Sequence, residues 1–190
     1  MIDGLENSLE DGEVLAFFYC DFRSERSTDA AEVMRSILSQ LLHKLQGGTM
    51  DPRNILGDLI KERRRGGSIL KNAKRLARLV SNAAKQFTRL PLIVIDALDE
   101  CKDIQNLVDA LVALSQARLR LFATSRSLQF IKDKFRNLPS LSLEKMSIVV
   151  SADIRLHVRR ELDSDRRLRI ATAKLKEEIR TALCENADGM

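Results

Sequence analysis

The stretch Leu92-Ile93-Val94-Ile95-Asp96-Ala97-Leu98-Asp99-Glu100 constrains this chain more than any other. A short apolar run, largely β-branched, ends abruptly in a carboxylate, and two more carboxylates follow at once. Such a run predicts a strand buried on both faces of a parallel sheet. Ligands of these sheets bind beyond the carboxyl ends of the strands, which is where Asp96 falls. A carboxylate there can hold Mg²⁺ on a nucleotide phosphate, the role of a Walker B aspartate. The same 190 residues contain no G-x-x-x-x-G-K-[ST], the phosphate-cradling partner of that strand.

Composition narrows the classes. A chain of 190 residues can form one substantial core and a small appended subdomain. The 44% hydrophobic and 31% charged content is that of a folded globular chain rather than a disordered one. No apolar run approaches membrane-spanning length and the N-terminus has no charged segment leading into an apolar one. A cytoplasmic protein without a membrane partner is expected. Cys20, Cys101 and Cys184 are widely spaced and lack CxxC or Cys/His pairing, which predicts reduced structural thiols. His43 and His157 lie in helical patterns with no second ligand at metal-binding spacing, so both read as packing or surface residues. The net charge of +5 raises nucleic acid as a partner. Its densest cluster, Lys61 to Arg65, has no interleaved aromatics, and cations elsewhere alternate with Asp and Glu. A solvated helix end is the better reading, and nucleic-acid binding is not expected.

Along the chain, strand and helix patterns alternate. Val14 to Cys20 reads as a second buried strand after a turn at Asp11-Gly12. Asp29 should cap a helix with Val33, Met34, Ile37, Leu38, Leu41, Leu42 and Leu45 on one stripe, stopped by Gly47-Gly48. Asp51-Pro52 should open a shorter helix bearing Ile55, Leu56, Leu59 and Ile60. Ser68 should start another, with Leu70, Ala73, Leu76, Ala77 and Val80 inward. After the Asp96 strand come a helix over Ile104 to Gln116, a strand over Leu119 to Thr124 and a short helix over Leu128 to Phe135. A smaller strand is expected at Leu141-Ser142-Leu143. From Ser151 onward only helical period remains, near Ala152 to Leu162 and Arg167 to Cys184. The fold class is α/β with a parallel sheet over residues 1–150, followed by a helical lid over residues 151–190.

Two strands deliver polar residues to one edge of the sheet: Asp96, Asp99 and Glu100 from one, Thr124-Ser125-Arg126 from the other. Asp96 is placed to hold Mg²⁺ through water. Asp99 or Glu100 can polarise an attacking water, and Thr124 or Arg126 can sense a terminal phosphate, since a guanidinium matches phosphate oxygens in a planar fork. Asp99 and Glu100 also suit the start of a helix, and Ser125 suits a cap. A carboxylate closing a buried apolar run has no such packing explanation.

Phe18-Tyr19-Cys20-Asp21-Phe22, Ile93 to Cys101 and Ala123-Thr124-Ser125-Arg126 together resemble the NACHT NTPase domain of the STAND P-loop NTPases. The likeness is greatest to the nephrocystin-like NACHT domains of fungal NOD-like receptors, and it keeps motif order and spacing over nearly the whole chain. It implies a partial three-layer ASCE-type domain with strand order 5-1-4-3-2, the P-loop strand missing, and a small helical lid. It further implies Asp96 as the Mg²⁺ aspartate, Asp99 and Glu100 as the acidic pair linked to hydrolysis, Thr124 as a nucleotide contact and Arg126 as the sensor-1 arginine. Mg²⁺ with ATP or GTP would be the family's cofactors, and nucleotide exchange would drive a signalling switch and oligomerisation.

The resemblance also implies that both ends are cut. The chain begins inside the helix that follows the P-loop and stops before a winged-helix region. The function expected is therefore that of a fragment of a signalling NTPase without competent nucleotide binding of its own. A non-catalytic remnant that self-associates or packs through NACHT surfaces is the alternative, with a basic nucleic-acid-binding domain third.

Overall fold

In the computed structural model, which describes residues 2–23, 29–46, 57, 60, 71–165, 168 and 171–185, Leu15–Tyr19 (β1), Leu92–Asp96 (β2) and Arg120–Ala123 (β3) form a parallel sheet in the order β1-β2-β3. The helices are Ile2–Asn7 (α1), Ala30–Gln46 (α2), Ala73–Ala84 (α3), Ile104–Ser115 (α4), Gln129–Phe135 (α5), Ser147–Ser164 (α6) and Ala173–Glu185 (α7). The α/β class and the parallel sheet follow the sequence-based expectation.

Strand period sorts the side chains. In register, Ala16 pairs with Ile93 and Ile93 in turn with Leu121, while Phe18 pairs with Ile95 and Ile95 with Ala123. These residues face the main core, where Val33, Met34, Ile37 and Leu41 of α2, Leu76 and Val80 of α3, and Leu107, Leu111 and Leu114 of α4 are wholly buried. Each such large side chain contributes about 1.5–3 kcal/mol by leaving water. The opposite face is thinner: Leu15 and Val94 form a small cluster with Leu5 and Leu9 beside α1. Phe17, Val94 and Phe122 make one row on that face, and Tyr19 and Asp96 begin the next.

Among the described residues β1 is an edge strand, and its open side is partly capped by α2. The Phe17 N–H donates to Gln40 Oε1 at 3.0 Å, and Gln40 Nε2 donates back to the Phe17 carbonyl at 2.8 Å. A side-chain amide thus occupies the backbone groups that would otherwise recruit another strand.

Asp29 caps α2 as expected, its Oδ1 accepting from the Ala31 N–H at 2.9 Å. Ser68 and Leu70 lie outside the described residues, and the helix that carries Leu76, Ala77 and Val80 begins at Ala73. Asn72 sits in extended backbone and accepts from the Arg75 N–H at 3.0 Å, so the cap lies downstream of Ser68. The helix expected after Asp51-Pro52, the basic cluster at 61–65 and Gly47-Gly48 lie outside the described residues, Gly57 and Ile60 excepted.

Leu141-Ser142-Leu143 forms no strand. Leu141 and Leu143 are 75% and 63% exposed. The carbonyls of Ser142 and Leu143 accept from Lys145 and Met146 at 3.2 and 2.9 Å, starting a 3₁₀ turn over Glu144–Met146. Three residues committed to a turn, with Pro139 just before them, have no ladder to join.

The chain divides into two compact units, Met1–Asn137 and Leu138–Met190. The sheet and α1 to α5 belong to the first. In the second, α6 and α7 pack on one another, with Leu162 buried and Lys176 Nζ 3.8 Å from Asp163 Oδ1. Among the described residues no helix is long and apolar enough to cross a membrane.

Candidate functional site

At the carboxyl end of β2 the chain turns sharply, and that turn builds the site. Ala97 adopts φ 56 and ψ 54, the one positive-φ non-glycine among the described residues. A left-handed alanine costs about 1–2 kcal/mol and persists only when its surroundings hold it. The holder is Thr124, just beyond β3. Its hydroxyl accepts from the Ala97 N–H at 3.0 Å, and its carbonyl accepts from the Leu98 N–H at 2.9 Å. Its own N–H continues the ladder to the Ile95 carbonyl at 3.0 Å. With its one remaining proton the Thr124 hydroxyl donates to Asp96 Oδ1. A single threonine therefore fixes the strand end, the strained turn and the carboxylate.

The turn continues into the 3₁₀ segment Leu98–Glu100, which anchors through buried Leu98 and points its two acids in different directions. Asp99 turns toward β3. Its Oδ1 accepts from the Arg126 N–H at 2.9 Å, and its Oδ2 lies 3.4 Å from Arg126 Nε. The Asp99 side chain is only 11% exposed, whereas that of Arg126 is 82% exposed. Ser125 Oγ lies 3.3 Å from Asp99 Oδ1 and 2.9 Å from the Arg126 carbonyl. Having one proton, it favours the nearer carbonyl. Glu100 turns toward β1, its Oε2 accepting from the Phe22 N–H at 3.3 Å. On the same side the Cys20 N–H donates to the Asp96 carbonyl at 3.0 Å.

The structure thus brings together all five residues singled out from the sequence, but in two separate pairings and one outlier. Asp96 pairs with Thr124, Asp99 with Arg126, and Glu100 reaches the β1 loop. Sequence reasoning missed the Ala97 turn and the Phe22 contact. Alanine carries no signal for positive φ, and a backbone N–H has none at all. Tyr19, in register with Asp96 and 48% exposed, also borders the site.

Charge around the site is mixed. Arg23 pairs with Asp21 at 3.0 Å and holds that carboxyl below its ordinary range, chiefly through the side-chain hydrogen bond. Beneath the turn, burial pushes the Cys20 thiol up to about 12 and the Cys101 thiol to about 11. Neither forms a disulfide, and both are neutral there, filling space rather than offering a nucleophile. Cys184 is partly buried, and His43 and His157 are exposed. No group of three or more His, Cys, Asp or Glu side chains among the described residues could hold a metal directly. One carboxylate with a hydroxyl beside it suits an ion that keeps its own waters, as Mg²⁺ does.

Residues 1–126 match the family described as Nephrocystin 3, N-terminal. The chain belongs to this family. The part matched runs from α1 through every strand-end residue named above and closes at Arg126, so the nephrocystin 3 N-terminal match contains the whole candidate site. No curated protein and no solved structure matches the chain.

Proposed function

We propose that this nephrocystin-type chain supplies the metal-holding and phosphate-sensing side of a NACHT-type signalling NTPase, of the STAND class found in fungal NOD-like receptors. The observation that carries this reading is the Thr124 hydroxyl donating to Asp96 at the ends of two parallel strands. That bond holds a carboxylate where ligands of such sheets bind. In this reading Asp96 holds Mg²⁺ through water, Thr124 orients it, and Arg126 faces the terminal phosphate of ATP or GTP. Mg²⁺ would neutralise charge on the phosphates. Asp99 and Glu100 are the acidic pair of the hydrolytic apparatus.

These 190 residues contain no phosphate-cradling loop, so we propose weak nucleotide binding for the chain by itself. Micromolar affinity corresponds to about 8 kcal/mol, more than an acidic edge with one arginine supplies. The test is a Mg²⁺ titration of the isotopically labelled chain followed by amide resonances. Millimolar Mg²⁺ should move Ala97 and Thr124, and Asp96→Asn should remove that response. A response that survives Asp96→Asn, or its absence in the unmutated chain, would sink the assignment. A fluorescent ATP analogue should show no saturation in the micromolar range.

A further inference from the structure

We infer that Asp99 is an internal competitor for Arg126: its carboxylate holds the guanidinium that a phosphoryl anion would otherwise take, and so regulates the site proposed above, on which reading this inference rests. The contact has two unequal halves. The backbone half, from the Arg126 N–H to Asp99 Oδ1 at 2.9 Å, is short and involves a carboxylate that is 11% exposed. The side-chain half, from Arg126 Nε to Asp99 Oδ2 at 3.4 Å, is long and involves a guanidinium that is 82% exposed. Exposed ion pairs of that length are weak and easily exchanged. An anion arriving at the strand ends can therefore draw the guanidinium away while the backbone bond keeps the loop in place.

The geometry also sets the role of Asp99. Its carboxylate is enclosed by its loop, with one oxygen on the Arg126 N–H and the other beside the Arg126 guanidinium. Asp99 is a positioning residue acting through Arg126. Glu100, whose bond runs to Phe22, takes no part in the contest. Asp99→Asn separates the two halves, because asparagine still accepts from the Arg126 N–H but no longer offers charge to the guanidinium.

The experiment titrates the full chain with inorganic pyrophosphate, without Mg²⁺, and follows the Arg126 resonances. In the unmutated chain the Nε–H signal should move and the backbone N–H signal should stay. Asp99→Asn should tighten pyrophosphate binding about two- to fivefold. Arg126→Gln should abolish binding, and adding Asp99→Asn to it should restore nothing. Unchanged or weaker binding by Asp99→Asn overturns the inference. So does a gain that persists without Arg126, which would be a general charge effect, and so does absence of binding by both the unmutated chain and Asp99→Asn. If Asp99→Asn fails to fold, the unmutated chain still decides: equal movement of the two Arg126 signals overturns the inference. A Mg²⁺ response that needs Asp96, without any effect of Asp99, keeps the site reading and discards the competitor. The reverse result keeps the contest between Asp99 and an anion for Arg126 but discards the metal role of Asp96, and with it the regulation of a metal-nucleotide site.

Discussion

Replacing Thr124 with valine removes the hydroxyl and leaves shape, strand propensity and backbone bonds in place. The bonds from the Thr124 N–H to Ile95 and from the Leu98 N–H to the Thr124 carbonyl survive, since neither involves the side chain. Two bonds are lost. The Ala97 N–H loses its acceptor at 3.0 Å, and stranding a partly buried donor costs about 1–2 kcal/mol. Asp96 loses a hydroxyl donor, worth about 1 kcal/mol after allowing for its partial exposure. Together the loss should be about 2–3 kcal/mol. With a urea dependence of about 2 kcal/mol per molar, the midpoint should fall by about 1–1.5 M. Urea titration followed by far-ultraviolet circular dichroism measures this, and the chain's one tyrosine, Tyr19, supplies a local fluorescence probe beside Asp96. Thr124→Ser keeps the hydroxyl, and its midpoint should stay close to that of the parent chain. If valine and serine shift the midpoint equally, the hydroxyl is not what holds the turn and the reasoning fails.

Other outcomes follow from the same geometry. Ala97→Val puts a β-branched residue at positive φ and should cost about 1–3 kcal/mol, while Ala97→Gly should stay within about 1 kcal/mol of the parent; thermal melts compare the two. Asp109 accepts from Lys134 at 2.7 Å and pairs with Lys74 at 3.0 Å, and these bonds hold its carboxyl below the ordinary range. Because the folded-state value is the lower one, its stabilisation is present above about pH 4 and is lost as pH falls through the folded value. Urea midpoints should therefore drop less between pH 5 and about pH 3 in Asp109→Asn than in the parent. At pH 8 a thiol reagent should modify Cys184 quickly and Cys20 and Cys101 only on unfolding, since burial keeps the latter two protonated; rapid labelling of all three in the folded chain would contradict that.

Most of the sheet was legible in the sequence because its residues carry a burial pattern. Ile93, Val94 and Ile95 have no polar alternative, and they are buried at the centre of the sheet. The α2 stripe was equally clear, with Val33, Met34, Ile37 and Leu41 inside. Leu141-Ser142-Leu143 misled because alternation over three residues fits a turn as well as a strand, and hydrogen bonding decided the matter. The start of α3 was misplaced because serine and asparagine are both good caps, and the choice between them lies in backbone conformation. At the strand ends, the sequence indicated which residues share an edge but not how they pair. Arg126 reads as a cation aimed outward, yet half of its contact with Asp99 is a backbone N–H. Such pairings depend on the αL turn at Ala97, which no residue type announces.

The register of the sheet has a consequence for how the site comes into being. Pairing Leu92 with Arg120 closes 28 residues of chain, whereas pairing Leu15 with Leu92 closes 77. The longer closure costs about 1 kcal/mol more in chain entropy before any contact repays it. Local contacts form first in such topologies, so the β2-α4-β3 segment is the natural nucleus and β1 joins late. Asp96, Ala97, Thr124 and the Asp99–Arg126 pair all lie on the early segment. The Cys20 to Phe22 wall arrives with the late one. The acidic corner is thus assembled within one short crossover, and β1 closes over a turn that is already set.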